Sequence, residues 1–215
     1  MAPAWWKHIF HWRRNKGYGV HSPFAFNFIT GVVRNTACHY YAYAPLDAVS
    51  GNKYRKRARL LFRVACRFNP REVLETGGDR DCGEWVKAAM LLHDSRTRIV
   101  TTTDAGKIKN DRVTRLPSLR EAVSLYASRI ETGHLDPFVV INSLPCGDDA
   151  SPLLSLLSGH MPGGAVVIVR NRRDNESILQ EIFGMVSHGM MFADRDSAVI
   201  VARHDLPKQI FKVDL

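Results

Sequence analysis

Four polar groups in the 215-residue chain stand directly after apolar runs. Glu75 to Asp81, with Gly77, Gly78 and Asp79 between them, follows EVL. Thr103–Asp104 follows RIVTT, Asn142–Ser143 follows FVVI, and Arg170–Asn171 follows AVVIV. If each run is a strand of an open α/β sheet, these groups line the crevice at the strands' carboxyl ends, where such sheets take their ligands. Arg170, Arg172 and Arg173 suit a phosphate or carboxylate, or a solvated loop. Asp81 with Glu84 three residues on also reads as a capping box at a helix start. No Ser/His/Asp or Cys/His nucleophile set is legible, and the nine histidines show no metal-ligand spacing. The four cysteines, at 38, 66, 82 and 146, lack CxxC pairing, so neither a zinc site nor a disulfide framework is expected.

The elements that would position these groups follow from periodicity. Strands are predicted at 71–76, 98–103, 137–143 and 163–171, with a short one at 113–116. Helices are predicted at 82–93, 118–131, 152–160 and 175–189, the last closed by Gly189 as C-terminal cap. MMFADRD and SAVIVARH read as a final hairpin across 195–197. Alternating strands and helices imply a mostly parallel sheet covered on both faces. The closing hairpin implies seven strands with the last inserted antiparallel, which departs from the usual dinucleotide-dehydrogenase layout. The absence of GxGxxG after the first strand also argues against a nucleotide-binding oxidoreductase.

The motif ETGGDRDCG (75–83) resembles the glycine-rich first motif of class I S-adenosylmethionine (SAM) methyltransferases. GYGVHSPFAFNFI (17–29) looks like the HSPF signature of a bacterial subgroup of these methyltransferase-like proteins, and KQIFKVDL (208–215) is similar to that group's tail. The resemblance implies a Rossmann-like class I methyltransferase sheet behind an N-terminal helical extension, with SAM as cofactor. It implies that Glu75 holds the ammonium at the cofactor's methionine end and that Gly77 lets backbone amides approach it. Gly78 and Asp79 continue the loop, Asp104 would grip the ribose, and Asn142 would meet the adenine edge or a substrate group, or simply end its strand. Several positions depart from the family pattern. Asp81 replaces a later glycine, Asn142 stands where an acid ends the fourth strand, and Arg170–Asn171 replaces an acidic pair. Each lost charged hydrogen bond weakens binding by about ten- to a hundredfold. No catalytic residue is named, because methyl transfer to a polarised acceptor can proceed largely by positioning.

The net charge of +9 is uneven. Residues 1–67 hold twelve Lys/Arg against Asp47 alone, and the remainder is close to neutral. This divides the chain into a basic helical cap, 1–69, and a methyltransferase-like α/β domain, 70–215. AWWKHIFHWRRNK (4–16) holds three of the four tryptophans and reads as a helix packed on the core or a partner, or lying in a membrane interface. NKYRKRARLLFRVACRF (52–68) has a core-facing stripe of Leu60, Leu61, Val64, Ala65 and Phe68, with a solvated basic face able to meet a polyanion. Between them, 39–51 reads as an aromatic linker able to act as a lid. In HSPF, Ser22 and Pro23 suit the N-cap and first position of a helix, with His21 as a structural hydrogen-bonding group or a catalytic base. No run of eighteen apolar residues suggests a membrane span, and no export signal is legible. The expectation is a cytoplasmic protein, with peripheral membrane contact as an alternative. Two functions remain open: methyl transfer to an unknown acceptor, or a catalytically inactive binding protein that uses its basic cap for a polyanion, membrane surface or protein partner.

Overall fold

The structure, a computed structural model, describes residues 22–35, 40–77, 80–103, 110–144 and 149–215, with backbone alone at 80–82. The aromatic segment 4–16, His21, Gly78, Asp79 and Asp104 lie outside the described residues.

The HSPF segment opens helix α1 (Pro23–Phe28), which continues into a π-helical turn at Ile29–Val33. Ser22 is extended, and its hydroxyl accepts from the Ala25 amide at 3.3 Å, while Pro23 takes the first helical turn, where no donor is needed. Phe28 anchors the helix, its ring 4.5 Å from that of Phe192. Ser22→Ala is expected to cost about 1 kcal/mol of stability, read from the urea-unfolding midpoint.

Helix α2 (Tyr43–Phe68) begins eight residues before Gly51 and kinks there, where φ is 60° and ψ −175°. Residues 43–50 are therefore helical and not a linker. Pro45 is tolerated because it lies in the first turn, and Tyr43, Leu46 and Ser50 are buried. Beyond the kink, Leu60, Leu61, Val64 and Ala65 form the expected buried stripe. The basic face is only partly solvated. Lys53, Arg55, Lys56 and Arg67 are exposed, whereas Arg63 is buried and donates to the Val32 and Val33 carbonyls and the Tyr43 hydroxyl. Arg59 pairs with Asp47, and Arg57 pairs with Asp196 at 2.7 Å. A cation in this helix thus satisfies the open carbonyls of the π turn.

The α/β part runs β1 (Glu72–Thr76), α3 (Arg80–His93), β2 (Arg98–Thr101), β3 (Val113–Arg115), α4 (Leu119–Gly133), β4 (Phe138–Ile141), α5 (Ser151–His160), β5 (Ala165–Arg170), α6 (Glu176–Met185), β6 (Gly189–Ala193), β7 (Ser197–Ala202) and β8 (Gln209–Lys212). The sheet order is β3-β2-β1-β4-β5-β7-β6-β8. β7 is inserted antiparallel between β5 and β6, and the other neighbouring pairs are parallel. The expected arrangement is present, and β8 extends it by one strand at the β6 edge.

Two further sequence expectations are corrected. α6 stops at Met185, and Gly189 opens β6 instead of capping the helix. A β-carbon there would lie 2.5 Å from the Val201 carbonyl, so the glycine serves close strand approach. α3 begins at Arg80, which places Asp81 inside the first turn and not at the N-cap.

Strand alternation divides the core. Val73, Ile99, Val140, Ile168 and Val199 face α1, α2 and α3, whereas Leu74, Val100, Val139, Val167 and Ile200 face α4, α5 and α6. The N-terminal helices α1 and α2 therefore share one sheet face with α3.

Candidate functional site

One row of polar side chains crosses the carboxyl edge of the sheet. Glu75 follows Val73 by two residues, Thr101 follows Ile99, Asn142 follows Val140 and Arg170 follows Ile168. Alternation therefore turns all four toward α3. The register agrees, with Glu75 opposite Thr101 on one side and Val140 on the other. All four are buried, and they form a continuous chain. Thr101 Oγ1 donates to Glu75 Oε2 at 2.9 Å. Asn142 Nδ2 donates to Glu75 Oε1 and to the Gly77 carbonyl, each at 3.0 Å. Arg170 Nη1 donates to Asn142 Oδ1 at 2.5 Å.

Helix α3 closes the network from above. Lys87 Nζ lies 3.6 Å from Glu75 Oε2, with both side chains wholly buried. The Arg170 guanidinium lies 4.1 Å from the centre of the Trp85 ring, a cation–π stack strengthened by loss of water. The Trp85 indole N–H is buried without a hydrogen-bond partner among the described residues.

The network explains Asn142. Its amide bridges a carboxylate and a guanidinium, donating to Glu75 and accepting from Arg170. An aspartate there would set a second carboxylate against Glu75, and two like charges in a dry site cannot both stay ionised. The departure from the acidic family pattern at 142 thus matches the presence of Arg170 and the full burial of Glu75.

The glycines are also used internally. Gly77 has φ 58°, and a β-carbon on it would lie 1.8 Å from the Ser143 carbonyl oxygen. The loops after β1 and β4 meet at that point, and the Gly77 carbonyl accepts from Thr103 Oγ1 at 2.9 Å. Gly83 makes room for Thr103 Cγ2 and Lys87 Nζ, which a β-carbon would approach to 2.7 and 3.2 Å.

Burial pushes the Glu75 carboxyl above its ordinary value of 4.5. The nearby Lys87 charge, the hydrogen bonds from Thr101 and Asn142, and the Arg170 charge oppose that rise. The folded chain therefore holds this proton more tightly than the unfolded one. Its contribution to stability is fullest below pH 4.5 and is lost as pH rises through the folded value. Glu75→Gln is expected to flatten that decline, measured by urea unfolding over a pH series beginning near about 4.

Of the sequence-predicted cofactor residues, Glu75, Gly77 and Asn142 come together at one point, and Gly78, Asp79 and Asp104 fall outside the described residues. Arg170 joins the site by turning inward, whereas Arg172 pairs with Glu176 at 2.9 Å. Thr103, half of the Thr103–Asp104 pair expected in the crevice, donates there to the Gly77 carbonyl, whereas Lys87, Trp85 and Thr101 are not legible in the sequence as site residues. The available signal was the single cation inside the apolar run WVKAAMLL.

No protein-family model matches the chain, and no curated protein sequence matches it. Among solved structures, MycE methyltransferase from the mycinamycin biosynthetic pathway, in complex with Mg and SAH, aligns with a TM-score of 0.51 at 12% identity, over 78% of this chain and 56% of that one. The fold is a Rossmann-like methyltransferase fold. A second MycE structure, with Mg, SAH and mycinamycin VI, aligns with a TM-score of 0.50 at 13% identity, over 91% of this chain and 62% of MycE. The chain thus spans less than two-thirds of MycE's length. In this methyltransferase fold the polar row lies at the carboxyl ends of β2, β1, β4 and β5. No helix among the described residues is long and apolar enough to cross a membrane.

Proposed function

We propose that the chain is a SAM-dependent methyltransferase-like protein that takes an adenosyl ligand at the carboxyl ends of β1, β2 and β4 and transfers a methyl group to an acceptor. One observation carries the reading. The sheet has the methyltransferase order, with β7 antiparallel between β5 and β6, and Glu75 and Gly77 stand at the switch between β1 and β4. The HSPF segment, capped as expected at Ser22, supports placing the chain with the HSPF subgroup. Gly78, Asp79 and Asp104 are the further ligand contacts of this reading. Calorimetric titration with SAM and S-adenosylhomocysteine tests it, with saturable binding expected in the micromolar range. No heat at millimolar ligand would reject the adenosyl site.

A specific observation favours a second reading. Glu75, Gly77, Gly83 and Asn142 are all engaged by the chain's own atoms. In that case the fold is a non-catalytic binding module, and the basic cap meets a polyanion, a membrane surface or a protein partner. The exposed cations Lys53, Arg55, Lys56 and Arg67 of α2 are the docking groups for a polyanion. Heparin retention then falls steeply with salt, and elution at low salt removes the polyanion partner. For a membrane surface, deleting residues 1–14 should abolish liposome co-sedimentation of the full chain.

A further inference from the structure

We infer that Lys87 takes the place of a ligand ammonium in the crevice, so that an adenosyl thioether is held by its nucleoside end and gains no affinity from its amino-acid end. This inference rests on the adenosyl-ligand reading above. Lys87 would be a specificity-determining residue, because it withholds the Glu75 carboxylate from any ligand cation.

Three observations carry it. First, both oxygens of the carboxylate are already engaged. Asn142 donates to one oxygen, while Thr101 donates to the other and Lys87 lies beside it. Second, Lys87 reaches back along α3 toward the helix's first turn, as helical side chains do. Its Nζ stops beneath Gly83, so close that a β-carbon there would stand 3.2 Å away. The amino end of a helix favours anions over cations, and the Glu75 carboxylate 3.6 Å away offsets the cost of a buried ammonium there. Third, both partners are wholly buried. A second ammonium aimed at Glu75 would meet the like charge of Lys87 without water to screen it.

The consequence is measurable with two probes. S-adenosylhomocysteine carries the amino-acid end, and 5′-methylthioadenosine lacks it. Titrated calorimetrically into the full chain, the two are expected to bind with dissociation constants less than roughly tenfold apart. An ammonium held by Glu75 would favour S-adenosylhomocysteine by roughly tenfold or more. That result would overturn the inference while leaving the adenosyl reading intact. Failure of both ligands to bind at millimolar concentration would overturn both. Lys87→Ala, where it folds, frees Glu75 and should raise the preference for S-adenosylhomocysteine by roughly tenfold. Because that variant strands a buried carboxylate, the near-isosteric double variant Glu75→Gln with Lys87→Met provides the control. It should keep the wild-type ratio of the two affinities, and a fall in the ratio would show that Glu75 serves the ligand.

Discussion

Lys87→Ala is expected to lower the stability of the chain by about 3–5 kcal/mol, because it leaves a buried carboxylate without its cation. Glu75 has no exposed surface, its remaining donors, Thr101 and Asn142, are neutral, and Arg170 reaches it only through Asn142. The double variant Glu75→Gln with Lys87→Met should behave quite differently. Replacing a buried ion pair by neutral groups of similar volume is often neutral or stabilising, so the double variant should unfold close to the wild-type midpoint. The non-additivity is the informative quantity, since the two side chains are in contact and a double-mutant cycle isolates their coupling. Urea unfolding of the four proteins reads it directly. Additive effects would mean that Glu75 and Lys87 do not hold one another.

Gly77→Ala should be equally damaging for a different reason. The backbone at 77 has φ 58°, and the new β-carbon would stand 1.8 Å from the Ser143 carbonyl oxygen. That oxygen is main chain, so no rotamer change relieves the clash. The loops after β1 and β4 would have to separate, and separation would draw the Gly77 carbonyl away from Asn142 and Thr103. Backbone strain at a residue in this region costs about 1–3 kcal/mol alone, and the steric overlap adds to it. A loss above about 3 kcal/mol is expected, measured by urea unfolding, together with loss of adenosyl-ligand binding in the titration above. Gly159→Ala is the matched control, because nothing lies within 4 Å of a β-carbon there.

The sheet was largely legible in the sequence because its signals are local. FVVI and AVVIV are continuous apolar runs, as strands buried on both faces must be, and the closing pair around 195–197 announced the antiparallel β7. The eighth strand was not legible. Gln209–Lys212 is mostly exposed and pairs with β6 across the sheet edge, a long-range event without a periodic signature. The 39–51 segment misled because Pro45 and its aromatic neighbours resemble a loop. Proline is nonetheless admissible in a first turn, and Tyr43 and Leu46 found a core to enter. Gly189 misled for a tertiary reason, the nearness of the Val201 carbonyl.

The candidate site was legible as a location and not as a network. Glu75, Gly77, Asn142 and Arg170 were placed by the rule that ligands gather at strand carboxyl ends. Their mutual partners depend on the β2-β1-β4-β5 order, which brings together residues up to 95 positions apart. Lys87 was invisible because a lone lysine in a helix ordinarily faces water. Its place is set by Glu75, beside which it is wholly buried. The departures from the acidic pattern at 142 and 170 share one physical account: Asn142 joins the buried Glu75 to the buried Arg170, and Trp85 receives the guanidinium.

Glu75 belongs to the protein's own network even when the crevice holds a ligand. A crystal structure of the full chain grown with saturating S-adenosylhomocysteine tests it most directly. The nucleoside is expected at the carboxyl ends of β1, β2 and β4, with Lys87 still beside Glu75 and Asn142 still donating to it. A structure in which Glu75 has left Lys87 and accepts instead from the ligand's ammonium would contradict the account.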